Sequence, residues 1–450
     1  MNFTMFLPYP PVLANVGEIS ESIIFTTLLL SAIVLFLTSQ ICEEVCTRLR
    51  LPPVLGQLVS GIILGVSALK IFVFTEADAA INPVVIDLMC QVTGANSAEF
   101  LAAYSHQLIA ISESIANLGV IALLFLIGLE SDLDRLVKVG PQAAVVAGAG
   151  VVLPFLGGTA GLIMIFDVAP LPAIFGGAAL TATSIGITAK ILKELGHLQS
   201  EEGQIIIGAA VLDDLLGILI LAVVVSLIKD GSVDVANLVS LLLSTTVFVG
   251  AIALFRTQLA NLFETLTSKL RSDNGPLVAA IILALVMAAI ANIIHLEAIL
   301  GAFAAGITLS GTSQREQILH KLEPIAALLA PIFFIVVGAK TDLSVLNPAN
   351  PGCMEGLWMA TFLIVVAVLG KAVAGYLIPG AEELNRLAIG IGMIPRGEVG
   401  LVFVGMGSSV DILSSSLTAA VILTVVVTTL IAPLLLPWSL SKEVVSEQRA

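Results

Sequence analysis

Charge is what this sequence has least of. Asp, Glu, Lys and Arg together make up 12% of 450 residues, hydrophobic residues make up 58%, and the mean hydropathy is +1.08. A soluble domain carries roughly 25% charged residues, so that class is excluded. Cysteine is scarce too, with four in the chain. Cys42 and Cys46 share a helical face but have no His or further Cys to complete a metal site. Cys90 and Cys353 both fall in predicted outer loops, where a disulfide between them stays open because sequence says nothing of their separation. The first twenty residues hold no Lys or Arg. They lack the basic start of a secretory signal peptide and read as an outer tail, 1–20, ahead of an uncleaved first span. The period-2 alternation of a transmembrane barrel is absent, and no hydrophilic stretch is long enough for a soluble domain.

What remains is a series of apolar runs long enough for helices that cross about 30 Å of hydrocarbon. The pattern predicts an all-α polytopic membrane protein with thirteen spans, near 21–41, 52–69, 114–129, 142–166, 173–192, 204–228, 235–255, 276–294, 296–310, 324–339, 356–378, 386–407 and 414–437. His295 marks the narrow turn between the eighth and ninth. With the amino terminus outside, fourteen Lys and Arg fall on the inner side and only Lys70, Lys229 and Lys340 on the outer side. That bias is the one expected of cytoplasmic loops, and it places the tail 438–450 in the cytoplasm.

Thirteen spans divide as six, one and six. The second six then run with opposite topology to the first, which predicts inverted repeats over 21–228 and 276–437 joined by a linker helix at 235–255. Transporters built this way interrupt matching helices near the midplane. ALTATSIGITAK in the fifth span and IGMIPRGEVGLV in the twelfth both break an apolar run with small, hydroxyl, Gly or Pro residues. The one long connection, 70–113, carries Glu76, Asp78, Asp87, Glu99 and His106 and reads as an acidic outer loop with a short interfacial helix near Asn82–Cys90.

The chemistry concentrates in GAAVLDDLLGILILAVVV, Gly208–Val225, where Asp213 and Asp214 lie inside an apolar span. One such charge costs at least about 2.5–3.5 kcal/mol on insertion scales, so the pair needs a task. Neighbours on a helix point about 100° apart, so one carboxylate can meet a basic group while the other faces a cavity. Lys371, far inside its own span, is the basic group available. A hard monovalent cation such as Na⁺ is bound by oxygen, which carboxylates, hydroxyls and unwound carbonyls supply. Burial, a like-charged neighbour and a nearby ammonium act in opposed senses on a carboxylate's proton affinity, so a balanced group can exchange protons near neutral pH. Arg396 and Glu398, two residues apart, point about 200° apart on a helix and each need a partner elsewhere. They read as structural or pH-response candidates on the second interrupted helix. An aspartyl protease would need two carboxylates from different helices about 3 Å apart, and no GxGD sequence occurs. A channel would need a continuous pore, which paired interrupted helices argue against.

The aspartate pair, LTATSIGITAKILKELGHL before it, and GKAVAGY and IPRGEVGLVF after it resemble the bacterial cation/proton antiporter 2 family, most of all its NapA-type sodium/proton exchangers. GQLVSGIILG, LLFLIGLESDL, LEAILGAFAAGITLS and PIFFIVVGAKTDLS extend the resemblance over nearly every span. It implies that Asp214 is the principal Na⁺ ligand and a proton carrier, that Asp213 forms a salt bridge with Lys371, and that Thr183 and Ser184 flank the cation site. Asp213 and Lys371 join Asp214 as proton carriers. It further implies an elevator-type mechanism in a homodimer, with a core from 142–228 and 356–437 and a scaffold from 21–129 and 276–339. Expected substrates are Na⁺ or Li⁺ and H⁺, with K⁺/H⁺ exchange the alternative. No cofactor, enzyme activity or nucleic-acid partner is expected, and lipid is the surroundings. The default location is a bacterial inner membrane, with a thylakoid-type membrane as the other candidate.

Overall fold

A computed structural model of the chain describes residues 21–73, 81–93, 110–131, 133–230, 235–294, 296–340, 353–379, 384–396 and 412–447, with isolated positions between 96 and 104 and at 400 and 403. Regular structure among the described residues is entirely helical. Seven helices are long and apolar enough to cross a membrane, and an eighth, Val235–Thr267, is bent by 50° along its length. Shorter apolar helices lie between them, including Pro53–Leu64, Ala116–Glu130, Pro170–Ala179 and Ala298–Leu309. At 1.5 Å per residue a ten-residue helix reaches about 15 Å, half the hydrocarbon thickness. The fifth predicted span is therefore two half-helices, Pro170–Ala179 and Ile185–Glu194. The helix expected over 235–255 runs on to Thr267. A turn at Ile294 separates Gly275–Ile293 from Ala298–Leu309, and His295 itself lies outside the described residues, as do Glu76, Asp78, Glu99, His106 and Glu398.

Residue contacts divide the chain into two units. The first comprises residues 1–118 and 331–343. Here helix α1 (Glu21–Arg48) packs on α2 (Pro53–Leu64). On α1, Phe25, Ile33, Leu37 and Ile41 are 56–61% exposed, a face suited to lipid rather than water. Pro52, just before α2, fits a helix start, where a missing N–H costs nothing. The interfacial helix expected near Asn82–Cys90 is α3 (Pro83–Thr93), with the Asn82 side chain accepting from the Val84 N–H at 3.0 Å. Cys42, Cys46 and Cys90 are free thiols, and the Cys353 side chain lies outside the described residues. Close packing in this unit depends on glycine: a methyl group at Gly61 would meet the Ile335 carbonyl, and one at Gly338 would meet the Leu58 carbonyl.

The second unit comprises 119–330 and 344–450. It holds most of α4 (Ala116–Glu130), then α5 (Leu133–Lys138), α6 (Gly140–Phe166), α7 (Pro170–Ala179), α8 (Ile185–Glu194), α9 (Glu201–Asp230), α10 (Val235–Thr267), α11 (Gly275–Ile293), α12 (Ala298–Leu309), much of α13 (Arg315–Ala339), α14 (Cys353–Tyr376), α15 (Arg386–Gly392) and α16 (Ser415–Glu447). One buried cluster, with Phe175, Leu180, Leu363, Phe403 and Leu417, joins α7, α14 and α16. A second, with Phe125, Leu129, Ala284, Ala302 and Ile318, joins α4 and α11–α13. In that cluster Gly128 lies against the Phe303 carbonyl and Gly306 against the Phe125 carbonyl. Small residues let helix backbones approach where lipid gives no hydrophobic drive to associate. At the end of α8, Lys193 pairs with Glu130 at 2.5 Å and lies 3.9 Å from Glu323.

The crossing at Gly128 and Gly306 predicts that Gly306→Leu forces two backbones apart, at a cost of at least about 1–3 kcal/mol. Its thermal unfolding midpoint in detergent should fall. Gly148→Ala, on α6 with nothing within 4 Å of the added carbon, should leave the midpoint unchanged or raise it.

Candidate functional site

The site is built where the two interrupted helices meet. Between α7 and α8 the chain leaves helical form at Leu180 and re-enters at Ile185, with the Ser184 side chain accepting weakly from the Ile187 N–H at 3.5 Å. Thr181, Thr183 and Ser184 are residue types whose hydroxyls compete with helical hydrogen bonds. In the other break, α15 ends at Gly392, and Pro395 lacks an N–H and disfavours helix at Ile394 before it.

Each break uses the other to satisfy its backbone. The Ser184 N–H donates to the Pro395 carbonyl at 2.8 Å. Thr183 Oγ1 donates to the Met393 carbonyl at 3.0 Å, and Thr188 Oγ1 to the Gly392 carbonyl at 2.8 Å. Arg396 Nη1 donates to the Ala182 carbonyl at 3.0 Å, while the Arg396 carbonyl accepts from Thr429 Oγ1 on α16 at 2.8 Å. Helix ends leave donors and acceptors without intrahelical partners, and hydrocarbon offers no water to replace them. Hydroxyls and a guanidinium from the opposite strand take that place.

Beside this crossing lies a buried charge cluster. Lys371 Nζ on α14 donates to Asp213 Oδ1 at 3.0 Å and Oδ2 at 3.1 Å, and both side chains are fully buried. Asp214 is 4% exposed and Arg396 1%. The charges of Asp213, Asp214 and Arg396 all act on Lys371, and that of Asp213 acts on Arg396. Two carboxyl groups and two basic groups thus share one buried region. Gly150 on α6 makes room for the lysine: an added carbon there would lie 3.2 Å from its Cδ and 3.3 Å from its Nζ.

This arrangement can hold a cation on oxygen and exchange it for protons, and comparison with known proteins bears on that chemistry. Residues 30–442 match the family described as "Sodium/hydrogen exchanger, transmembrane". The chain belongs to the sodium/hydrogen exchanger family. It is an antiporter of cations and protons and not an enzyme, as the resemblance implied. The high-affinity Na⁺/H⁺ antiporter NhaS3 of Synechocystis sp. is 50% identical over 435 residues, which cover 96% of this chain and 94% of that protein. The Na⁺/H⁺-K⁺ antiporter GerN of Bacillus cereus is 31% identical over 410 residues, covering 90% and 94%. A solved structure of the sodium proton antiporter MjNhaP1 from Methanocaldococcus jannaschii has a TM-score of 0.60 at 17% identity, over 92% of this chain and 93% of that one. That likeness shows a shared fold.

Within the exchanger, Asp213 and Lys371 are in contact, and Thr183 and Ser184 sit in the first break. Arg396 lies in the second break and is buried, and Glu398 falls outside the described residues. Sequence reasoning missed Thr188, Thr429 and Gly150. A threonine four residues into an apolar half-helix has no marker of its own, and Gly150 matters only because Lys371 lies across it.

Replacing Thr188 by Val removes the donor to the Gly392 carbonyl and leaves that buried acceptor without its hydroxyl, a loss of about 1–3 kcal/mol. Thermal unfolding in detergent should show a lower midpoint for Thr188→Val and nearly the wild-type midpoint for Thr188→Ser.

Proposed function

We propose that this antiporter exchanges Na⁺ or Li⁺ for protons electrogenically, at a site centred on Asp214. The observation that carries the reading is the buried Asp213–Lys371 pair next to Asp214 in the sequence and electrostatically coupled to it, at the crossing of two interrupted helices. Asp214 binds either the cation or a proton, because both need the same carboxylate oxygens. Thr183 and Ser184 keep oxygen lone pairs beside the site, and the N-terminal end of α8 carries partial positive charge that suits the carboxylates. Asp213 and Lys371 form the second exchangeable unit, so two protons move per cation. The 50%-identical relative, named a high-affinity Na⁺/H⁺ antiporter, supports sodium as cargo. The 31%-identical relative, named for Na⁺, H⁺ and K⁺, keeps K⁺/H⁺ exchange as the second reading.

The architecture proposed with this function has thirteen spans in two inverted repeats, 21–228 and 276–437. Two glycine crossings support it: Gly61 with Gly338 joins the second and tenth spans, and Gly128 with Gly306 joins the third and ninth. Exchanging the two repeats converts one pairing into the other. A core of 142–228 and 356–437 moves against a scaffold of 21–129 and 276–339 in a homodimer, with the amino terminus outside and the carboxyl terminus in the cytoplasm. The membrane is a bacterial inner membrane or a thylakoid-type one.

In proteoliposomes carrying a pH gradient, addition of Na⁺ or Li⁺ should collapse it with wild-type protein. Asp214→Asn should reduce the response to that of empty liposomes, and undiminished exchange in this variant would sink the mechanism. With the membrane potential clamped at zero and then at an imposed value, the rate should change; an unchanged rate would mean electroneutral exchange.

A further inference from the structure

The guanidinium of Arg396 is 1% exposed, yet only Nη1 has a hydrogen-bond partner, the Ala182 carbonyl at 3.0 Å. Nε and Nη2 have none among the described residues. Orphaned donors on a buried, permanently charged group are costly and call for an explanation. The charge of Asp213 acts on Arg396. That carboxylate accepts one hydrogen bond at each oxygen, both from Lys371, and a carboxylate has about four acceptor positions. Asp213 therefore has capacity left, and Arg396 has donors left. Ala182, which anchors the guanidinium, directly precedes Thr183 and Ser184 in the break, so the anchor lies next to the cargo path.

We propose that Arg396 is the second cationic partner of Asp213: when an arriving cation drives Lys371 off the carboxylate, the unused Nε and Nη2 donors of Arg396 take it over. Asp213 then never stands as an unpaired buried charge, a condition whose cost would otherwise oppose cation entry. Arg396 is a positioning residue in this account and does not touch the cargo. The inference rests on Asp214 being the cation ligand.

The test is the Na⁺ concentration that gives half-maximal thermal stabilisation of the purified protein, an equilibrium reading independent of transport. Arg396→Gln keeps an amide donor for the Ala182 carbonyl but loses the charge, and should raise the half-point at least tenfold. Arg396→Lys, which keeps the charge, should stay within threefold of wild type. A merely structural role would lower the thermal midpoint of both variants without moving the half-point. A simple field effect would lower the half-point of Arg396→Gln, because a repelling charge has gone. Either result overturns the proposal. In an Asp213→Asn background nothing needs taking over, so adding Arg396→Gln should change the half-point less than twofold; a tenfold further rise also overturns it. If Arg396→Gln alone does not fold, Asp213→Asn and Asp213→Asn/Arg396→Gln still give the comparison, and failure of that charge-balanced double variant to fold counts against the pairing. Asp214→Asn separates the two ideas, because a sodium response surviving in that variant refutes the placement of the cation and not the role of Arg396.

Discussion

A backbone interrupted inside hydrocarbon has to be satisfied by protein, and the rest of this structure depends on how that is done. The breaks at 180–184 and 393–396 solve the problem jointly: Ser184 N–H on the Pro395 carbonyl, Thr183 on Met393, Thr188 on Gly392, Arg396 on Ala182. Water can replace such partners at a protein surface, but in a bilayer each unsatisfied group costs several kcal/mol. The crossing brings hydroxyls and opened backbone of both breaks together among buried residues.

The charges follow from the crossing. Asp213 on α9 and Lys371 on α14 approach to 3.0 Å with α6 packed against both helices and the lysine lying against its Gly150. A buried ion pair is weak evidence for stability, since desolvation offsets most of its attraction. Its retention makes physical sense when the charges have work to do.

Much of this was legible in the chain. LTATS and IPRGE stood out because hydroxyls, Gly and Pro interrupt otherwise apolar runs, and Asp213, Asp214 and Lys371 because charge at that depth is expensive. The positions of α11, α12 and α14 follow closely from their apolar runs. Other features left no such trace. Thr188, Thr429 and Gly150 are ordinary residues for a membrane helix, and their significance comes from Gly392, Arg396 and Lys371, which lie 204, 33 and 221 positions away respectively. Arg396 was visible as a residue in need of a partner, but its hydrogen bond to the Ala182 carbonyl was not.

The sequence by itself determined that the chain is an all-helical membrane protein, where its helices are interrupted, and which carboxylates and lysine lie inside the apolar layer. Those properties depend on local transfer energies and on backbone chemistry, which act residue by residue. Tertiary structure alone decided that the two breaks cap one another, that Gly150 makes room for Lys371, and that Arg396 enters the charge cluster with donors to spare. Each of these depends on the distance between segments far apart in the chain, and hydrogen bonds and ion pairs lose their effect within a few ångströms.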